Sequence, residues 1–179
     1  MTRRDYIETW SGKDLYLPEP DLFSIDIRDI AHALSKICRF AGHVDRFYSV
    51  AEHSINVSSL VLPEHRLQAL LHDATEAYLC DIPTPFKRMV PQYEELETHL
   101  WAYIAFKFDV PVLLHGDVKM ADRIMLLTER DALKANTKKN WSPEYESTQR
   151  WAGFKELGLS HVETAELFLE KFYEYGGKD

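Results

Sequence analysis

His53, His72, Asp73 and Asp122 are the residues of this 179-residue sequence most able to do chemistry, because they stand where apolar side chains are expected. His53 follows Val50 by three and precedes Val57 by four. Asp122 lies four after Val118 and three before Met125. On helices, both would fall inside the apolar stripe. His72 and Asp73 interrupt the apolar segment LLHDATEAYL, residues 70–79. A buried carboxylate must be paired, protonated or bound to a cation. Two imidazoles and two carboxylates make an N2O2 donor set that suits zinc, manganese, cobalt or ferrous iron better than calcium.

Each residue alone has a plainer explanation. An inward histidine is usually a hydrogen-bonded core residue, and a helical aspartate a cap or ion-pair partner. The adjacent His72-Asp73 pair has few such explanations, and the joint pattern carries the weight. Glu76, four after His72, would share its face on a continuous helix. His99 and His115 are weaker candidates for a second ion, since neither has an acid at a matching spacing. His32, His65 and His161 read as surface residues, and His43 is open between loop packing and substrate contact.

Stepping along the chain gives the elements that must position this set. Residues 6–17 alternate around Ser11-Gly12-Lys13 and predict a β-hairpin. Ile27, Ile30, Leu34 and Ile37 predict a helix over 27–38 with Asp26 as its cap. Ser49 and Glu52 form a capping-box pattern opening a second helix. A third begins at Pro63 and continues to Tyr78, and the proline-stiffened turn 81–85 ends it. Further helices are expected over 91–108 and 117–136, and from the capping box Ser160-Glu163 to a stop at Gly176. The fold predicted is all-α, about six helices with a small N-terminal β-hairpin. It forms one domain over 1–179: hairpin 6–17, metal-binding core 27–136 and C-terminal helix 160–175.

Composition narrows the function classes. Hydrophobic residues make up 45% and charged residues 28%, and no apolar run approaches the roughly 20 residues a membrane span needs. A formal charge of −8 argues against binding a nucleic-acid backbone. The start MTRRDYIETW lacks the apolar stretch of a signal peptide, and only Cys38 and Cys80 are present. The expectation is a cytoplasmic protein with reduced thiols.

The pattern His53, His72-Asp73, Asp122 resembles the H…HD…D signature of the HD-domain phosphohydrolases, an all-helical, metal-dependent family. The blocks SVAEHS (49–54), HDATEAYLCDIPTPFK (72–87) and KMADRI (119–124) are similar to those of its 5′-deoxynucleotidase branch. The small size and RFAGH (39–43) resemble more closely the dATP triphosphohydrolases of phages that replace adenine in their DNA. That origin would place the chain in the host cytoplasm. The resemblance implies that His53, His72, Asp73 and Asp122 hold a divalent metal and that Glu76 is a catalytic acid or base. It sets Asp81 by the deoxyribose and its 3′-hydroxyl, Arg39 and Lys87 on phosphate, Phe40 on the sugar or base, and Pro85 against a 2′-hydroxyl. It also implies a homo-oligomer.

The expected reaction breaks a P–O5′ bond, with dATP giving deoxyadenosine and triphosphate. The metal, zinc, cobalt or manganese, with magnesium an option alongside the phosphates, would activate water and neutralise phosphoryl charge. Glu76 would protonate the leaving 5′-oxygen. Lys36, Arg46 and Arg88 are candidates for contacting the outer phosphates. The alternatives are a 5′-deoxynucleotidase acting on monophosphates and, in another class, a non-catalytic nucleotide-binding helical domain.

Overall fold

The computed structural model describes residues 6–134 and 147–179, and in them the predicted all-α architecture with a small N-terminal hairpin is present. Strands β1 (Ile7–Glu8) and β2 (Asp14–Leu15) pair antiparallel, with Ile7 opposite Leu15. Ser11, in the turn, donates from both its backbone N–H and its hydroxyl to Asp29, each at 2.8 Å. That pair pins the hairpin to helix α1 (Ile27–Leu34). Asp26 caps α1 by accepting from the Arg28 N–H, and it also holds Lys13 of the hairpin at 2.9 Å.

Helix α1 ends at Leu34, not at residue 38. The Lys36 and Ile37 N–H groups both turn back to the Ala33 carbonyl, and the chain then runs extended. There the Arg39 N–H donates to Tyr48 and the Val50 N–H to Ile37, so the segment pairs with the residues leading into the next helix. A tight turn over Arg39–Gly42 follows, with Phe40 and Ala41 at positive φ of 57° and 51°. Non-glycine residues there are strained, a feature found disproportionately at functional sites.

Helix α2 (Val50–Ser59) is capped by the Ser49 side chain as predicted. The reciprocal half of that capping box is absent, because the Glu52 carboxylate instead accepts from the Leu157 N–H at 2.6 Å. Residues 50–58 are all buried, so α2 is the centre of the bundle.

The single helix predicted over 63–78 is three pieces: a tight turn over Pro63–His65, α3 (Arg66–Leu71) and α4 (Glu76–Leu79). Between them the bonds tighten from i+4 to i+3 spacing, as in Ala74 to Leu71 and Glu76 to Asp73. His72 supplies the reason. Its Nδ1 bonds the Ala69 carbonyl at 2.7 Å, competing for the acceptor that the next α-helical turn would use. Beyond Cys80, at φ 68°, residues 81–83 form no regular element. Pro85 lies inside the one-turn helix α5 (Thr84–Lys87), near its start, where a missing N–H costs nothing.

Helix α6 (Pro91–Lys107) ends one residue short of the prediction. Helix α7 (Gly116–Leu133) is capped by His115, so Asp117 is inside the helix and not its start. Residues 135 and 136 of the predicted helix lie outside the described residues. Helix α8 (His161–Glu174) shows the complete Ser160/Glu163 capping box, and Gly176 follows at φ 89°.

Helix α2 packs on α3, α7 and α8, while α1 packs on α8 and α4. The larger apolar cluster includes Leu15, Ile30, Leu34, Leu70, Ile104, Phe168 and Phe172. A smaller one, Val57, Ala69, Val118 and Met125, holds α3 and α7 against α2. Among the described residues no helix is long and apolar enough to cross a membrane.

Candidate metal centre

Three elements that the cores lock together deliver the four predicted ligands: α2 brings His53, the α3/α4 break brings His72 and Asp73, and α7 brings Asp122. His53 Nε2 lies 3.2 Å from Asp122 Oδ1 and 3.5 Å from Asp73 Oδ2. His72 Nε2 lies 3.3 Å from Asp73 Oδ2 and 3.9 Å from Asp122 Oδ1. The donor atoms of His53, His72 and Asp122 are all within 4.8 Å of one another, a grouping able to hold a metal ion. Asp73 faces both imidazoles but falls outside that mutual grouping, and Arg39 Nη1 stands 3.5 Å from its Oδ2.

The proton positions decide what this arrangement needs. The Ala69 carbonyl can only accept, so His72 Nδ1 carries the proton it donates. His53 Nδ1 is 2.7 Å from Glu129 Oε1, a carboxyl that already accepts from Arg39 and Tyr48 and whose pKa the His53 and Arg39 charges lower against the burial that would raise it. His53 Nδ1 is therefore a donor too. In the neutral rings both Nε2 lone pairs then point at carboxylate oxygens, and both Nε2 atoms are buried without a hydrogen-bond partner. Opposed lone pairs at 3.2–3.5 Å repel unless a positive species stands between them, either a second proton or a metal cation. The donor set fits a metal ion on that ground.

The pKa directions tell the same story. Burial works against charge on every member, yet Glu129 and Asp122 raise the His53 pKa to about 9. Asp73 raises that of His72. The imidazoles in turn hold Asp73 and Asp122 below the usual carboxylate range, against the desolvation that would raise them. This is a site that stabilises positive charge.

The remaining predicted residues gather around the ligands unevenly. Glu76 is buried, its Oε2 has no partner, and Lys87 Nζ stands 3.8 Å from its Oε1. Burial, then the Asp73 and Asp81 charges, push the Glu76 pKa well above the ordinary value, with Arg39 and Lys87 opposing. Asp81 is half-buried and is also raised by burial, with Arg39 opposing. Lys87 is tied at 2.8 Å to Glu97 of α6. Arg39 is buried against Glu129 at 3.0 Å, its guanidinium 5.6 Å from the Phe40 ring centroid. Pro85 is on the exposed face of α5. Lys36 and Arg46, considered for outer phosphates, contact His32 and Glu156.

The sequence reading missed Glu129. It is fully buried and accepts from Arg39 Nε, the Tyr48 hydroxyl at 2.8 Å and His53 Nδ1; Asn56 in turn donates to Tyr48. Such a carboxylate fixes a ligand imidazole's tautomer and ring angle. A signal for it existed, since Glu129 follows Asp122 by seven and Met125 by four, the same helical face. The expectations for His65 and His115 also change. Their rings stack at 3.8 Å, and Asp117 lies 3.7 Å from His115 Nδ1. His99 instead contacts the Pro18 carbonyl at 3.1 Å.

No family model matches the chain. Over 167 residues it is 42% identical to the uncharacterized protein YfdR of Escherichia coli, covering 93% of this chain and 93% of that protein. Over 129 residues it is 38% identical to an uncharacterized protein of Rhodobacter capsulatus, covering 66% of each. Neither relative's name specifies a reaction.

Proposed function

We propose that this chain, which belongs to the same family as Escherichia coli YfdR, is an HD-domain, metal-dependent deoxynucleotide phosphohydrolase that breaks the P–O5′ bond. The preferred substrate in this reading is dATP, giving deoxyadenosine and triphosphate. The observation that carries it is the opposition of two Nδ1-committed imidazoles to two carboxylates, which fits a divalent ion held by His53, His72, Asp73 and Asp122. Two nitrogen and two oxygen donors favour zinc, cobalt or manganese. Such an ion, when bound, supplies Lewis-acid activation of water and neutralises charge on the phosphoryl group.

The chain's own residues supply the rest. Glu76, whose pKa burial and the neighbouring Asp73 and Asp81 charges raise, is the acid for the departing 5′-oxygen. Lys87, on α5 beside Glu76, adds positive charge for the phosphate. Arg39, anchored through Nε by Glu129, points Nη1 to the Asp73 side of the centre and orients a phosphate oxygen there. Phe40 and Pro85 border the sugar and base, and Asp81 accepts from the 3′-hydroxyl. The 5′-deoxynucleotidase reading draws on a specific observation: Lys36 and Arg46 are engaged by His32 and Glu156, which leaves fewer cations for outer phosphates.

Zinc-loaded and cobalt-loaded protein incubated with dNTPs, dNMPs and rNTPs, with products resolved by chromatography, tests both. Deoxyadenosine with intact triphosphate is the result expected. Hydrolysis of monophosphates alone selects the second reading, and no hydrolysis of any member overturns the enzymatic assignment.

A further inference from the structure

His65, just before α3, meets His115 and Asp117 at the start of α7, fifty residues further along the chain. The two imidazoles stack with centroids 3.8 Å apart and planes within 19°. Asp117 Oδ2 lies 3.7 Å from His115 Nδ1 and 4.0 Å from His65 Nε2. One donor atom from each residue falls in a set mutually within 4.8 Å. We infer that these three residues form a second, surface binding site for a borderline transition-metal ion of the zinc, nickel or copper type.

The frame beneath the site is rigid. Gln68 of α3, 4% exposed, uses its whole amide to hold the loop that carries His115. Its nitrogen donates to the Pro111 and Leu113 carbonyls at 2.7 and 3.0 Å, and its oxygen accepts from the His115 N–H at 3.0 Å. His65 is fixed just before α3, where its N–H donates to the Leu62 carbonyl at 2.9 Å. Both backbones are thus referred to one helix, and only side-chain torsions remain to adjust.

That adjustment is small. Tetrahedral zinc with nitrogen ligands at about 2.0–2.1 Å sets its donors roughly 3.4 Å apart. The three donors must therefore close by about 1 Å, along imidazole and carboxylate torsions that are broad and soft. Side-chain exposures of 23% for His65, 50% for His115 and 53% for Asp117 leave room to turn and keep a coordination position for water. Two imidazoles select against calcium and magnesium. There is one competing interaction: His115 Nδ1 caps α7 by accepting from the Asp117 N–H at 3.2 Å, and ligation exchanges that bond.

The two centres share no residue. Asp117 and Asp122 both belong to α7, but five residues advance about 7.5 Å and turn about 140°, so they face different ways.

Metal-stripped full-length protein is dialysed against rising Zn²⁺ and the ions per chain counted, for wild type and for His65→Gln/His115→Asn. Asparagine at 115 preserves a helix cap while removing the imidazole. The variant should bind one ion fewer, and an unchanged count overturns the site. In wild type, Zn²⁺ should also shift the ring resonances of His65 and His115 together in NMR spectra, and the absence of any shift at saturation overturns it equally. Asp73→Asn should leave this ion in place. If the proposed catalytic centre were wrong, Asp73→Asn would change nothing, while the difference made by His65 and His115 would stand.

Discussion

Each imidazole of the candidate centre has its Nδ1 proton committed, His53 to Glu129 and His72 to Ala69, so each has one nitrogen left to act with. The Glu76 carboxyl beside them is pushed towards its protonated form by burial and by the Asp73 and Asp81 charges. Glu76→Gln keeps the shape of the side chain but cannot deliver a proton, and turnover should drop about 100-fold or more with zinc uptake unchanged. Steady-state rates set beside metal content check this; an unaltered rate removes Glu76 from the acid role. Glu129→Gln leaves His53 free to change tautomer, and zinc affinity should weaken about 10–100-fold in competition against a chelating dye. The convergence of His53, His72, Asp73 and Asp122 was legible because charge inside an apolar stripe is hard to explain otherwise. Glu129 was not, because it is embedded in the charged run Glu129-Arg130-Asp131, which reads as a solvated face. Its burial depends on Tyr48 and Arg39, residues distant in sequence that only the fold brings to it.

At the level of elements, caps were readable and interruptions were not. Ser160 and Glu163 close their box as predicted, because a cap is satisfied within four residues of chain. Ser160→Ala should cost about 1 kcal/mol, measured by urea denaturation, since it strands N–H groups at the start of α8. Glu52 had the same local pattern but went to Leu157, a partner more than a hundred residues away that periodicity cannot foresee. The break after Leu71 escaped for a related reason. Apolar spacing continues through it, while the deciding event is a single side-chain bond from His72 to its own helix. That break puts the His-Asp pair at the end of α3, facing α2 and α7, instead of along a straight cylinder.

The whole molecule joins a small hairpin, a helical core and a candidate ion site, and its response to conditions follows from those joints. Asp26 links the hairpin to α1, with Arg28 first and then Lys13 holding its carboxyl well below the ordinary range against the opposing effect of burial. A lowered folded pKa means that its stabilisation is present above the unfolded value of about 3.9 and is lost as pH falls. Wild type should therefore melt higher than Asp26→Asn at pH 7, with the gap closing steadily below about pH 4 in thermal scans. Zinc at a hundredfold excess over its dissociation constant should add about 2.7 kcal/mol to unfolding, and a chelator should remove that gain. Glu129 also has a thermodynamic consequence. One carboxylate grips Arg39 with one oxygen and His53 with the other, so an anion drawing on Arg39 and a cation drawing on His53 perturb the same strut. Linkage then makes the effect mutual: whatever factor zinc applies to phosphate affinity, phosphate must return to zinc.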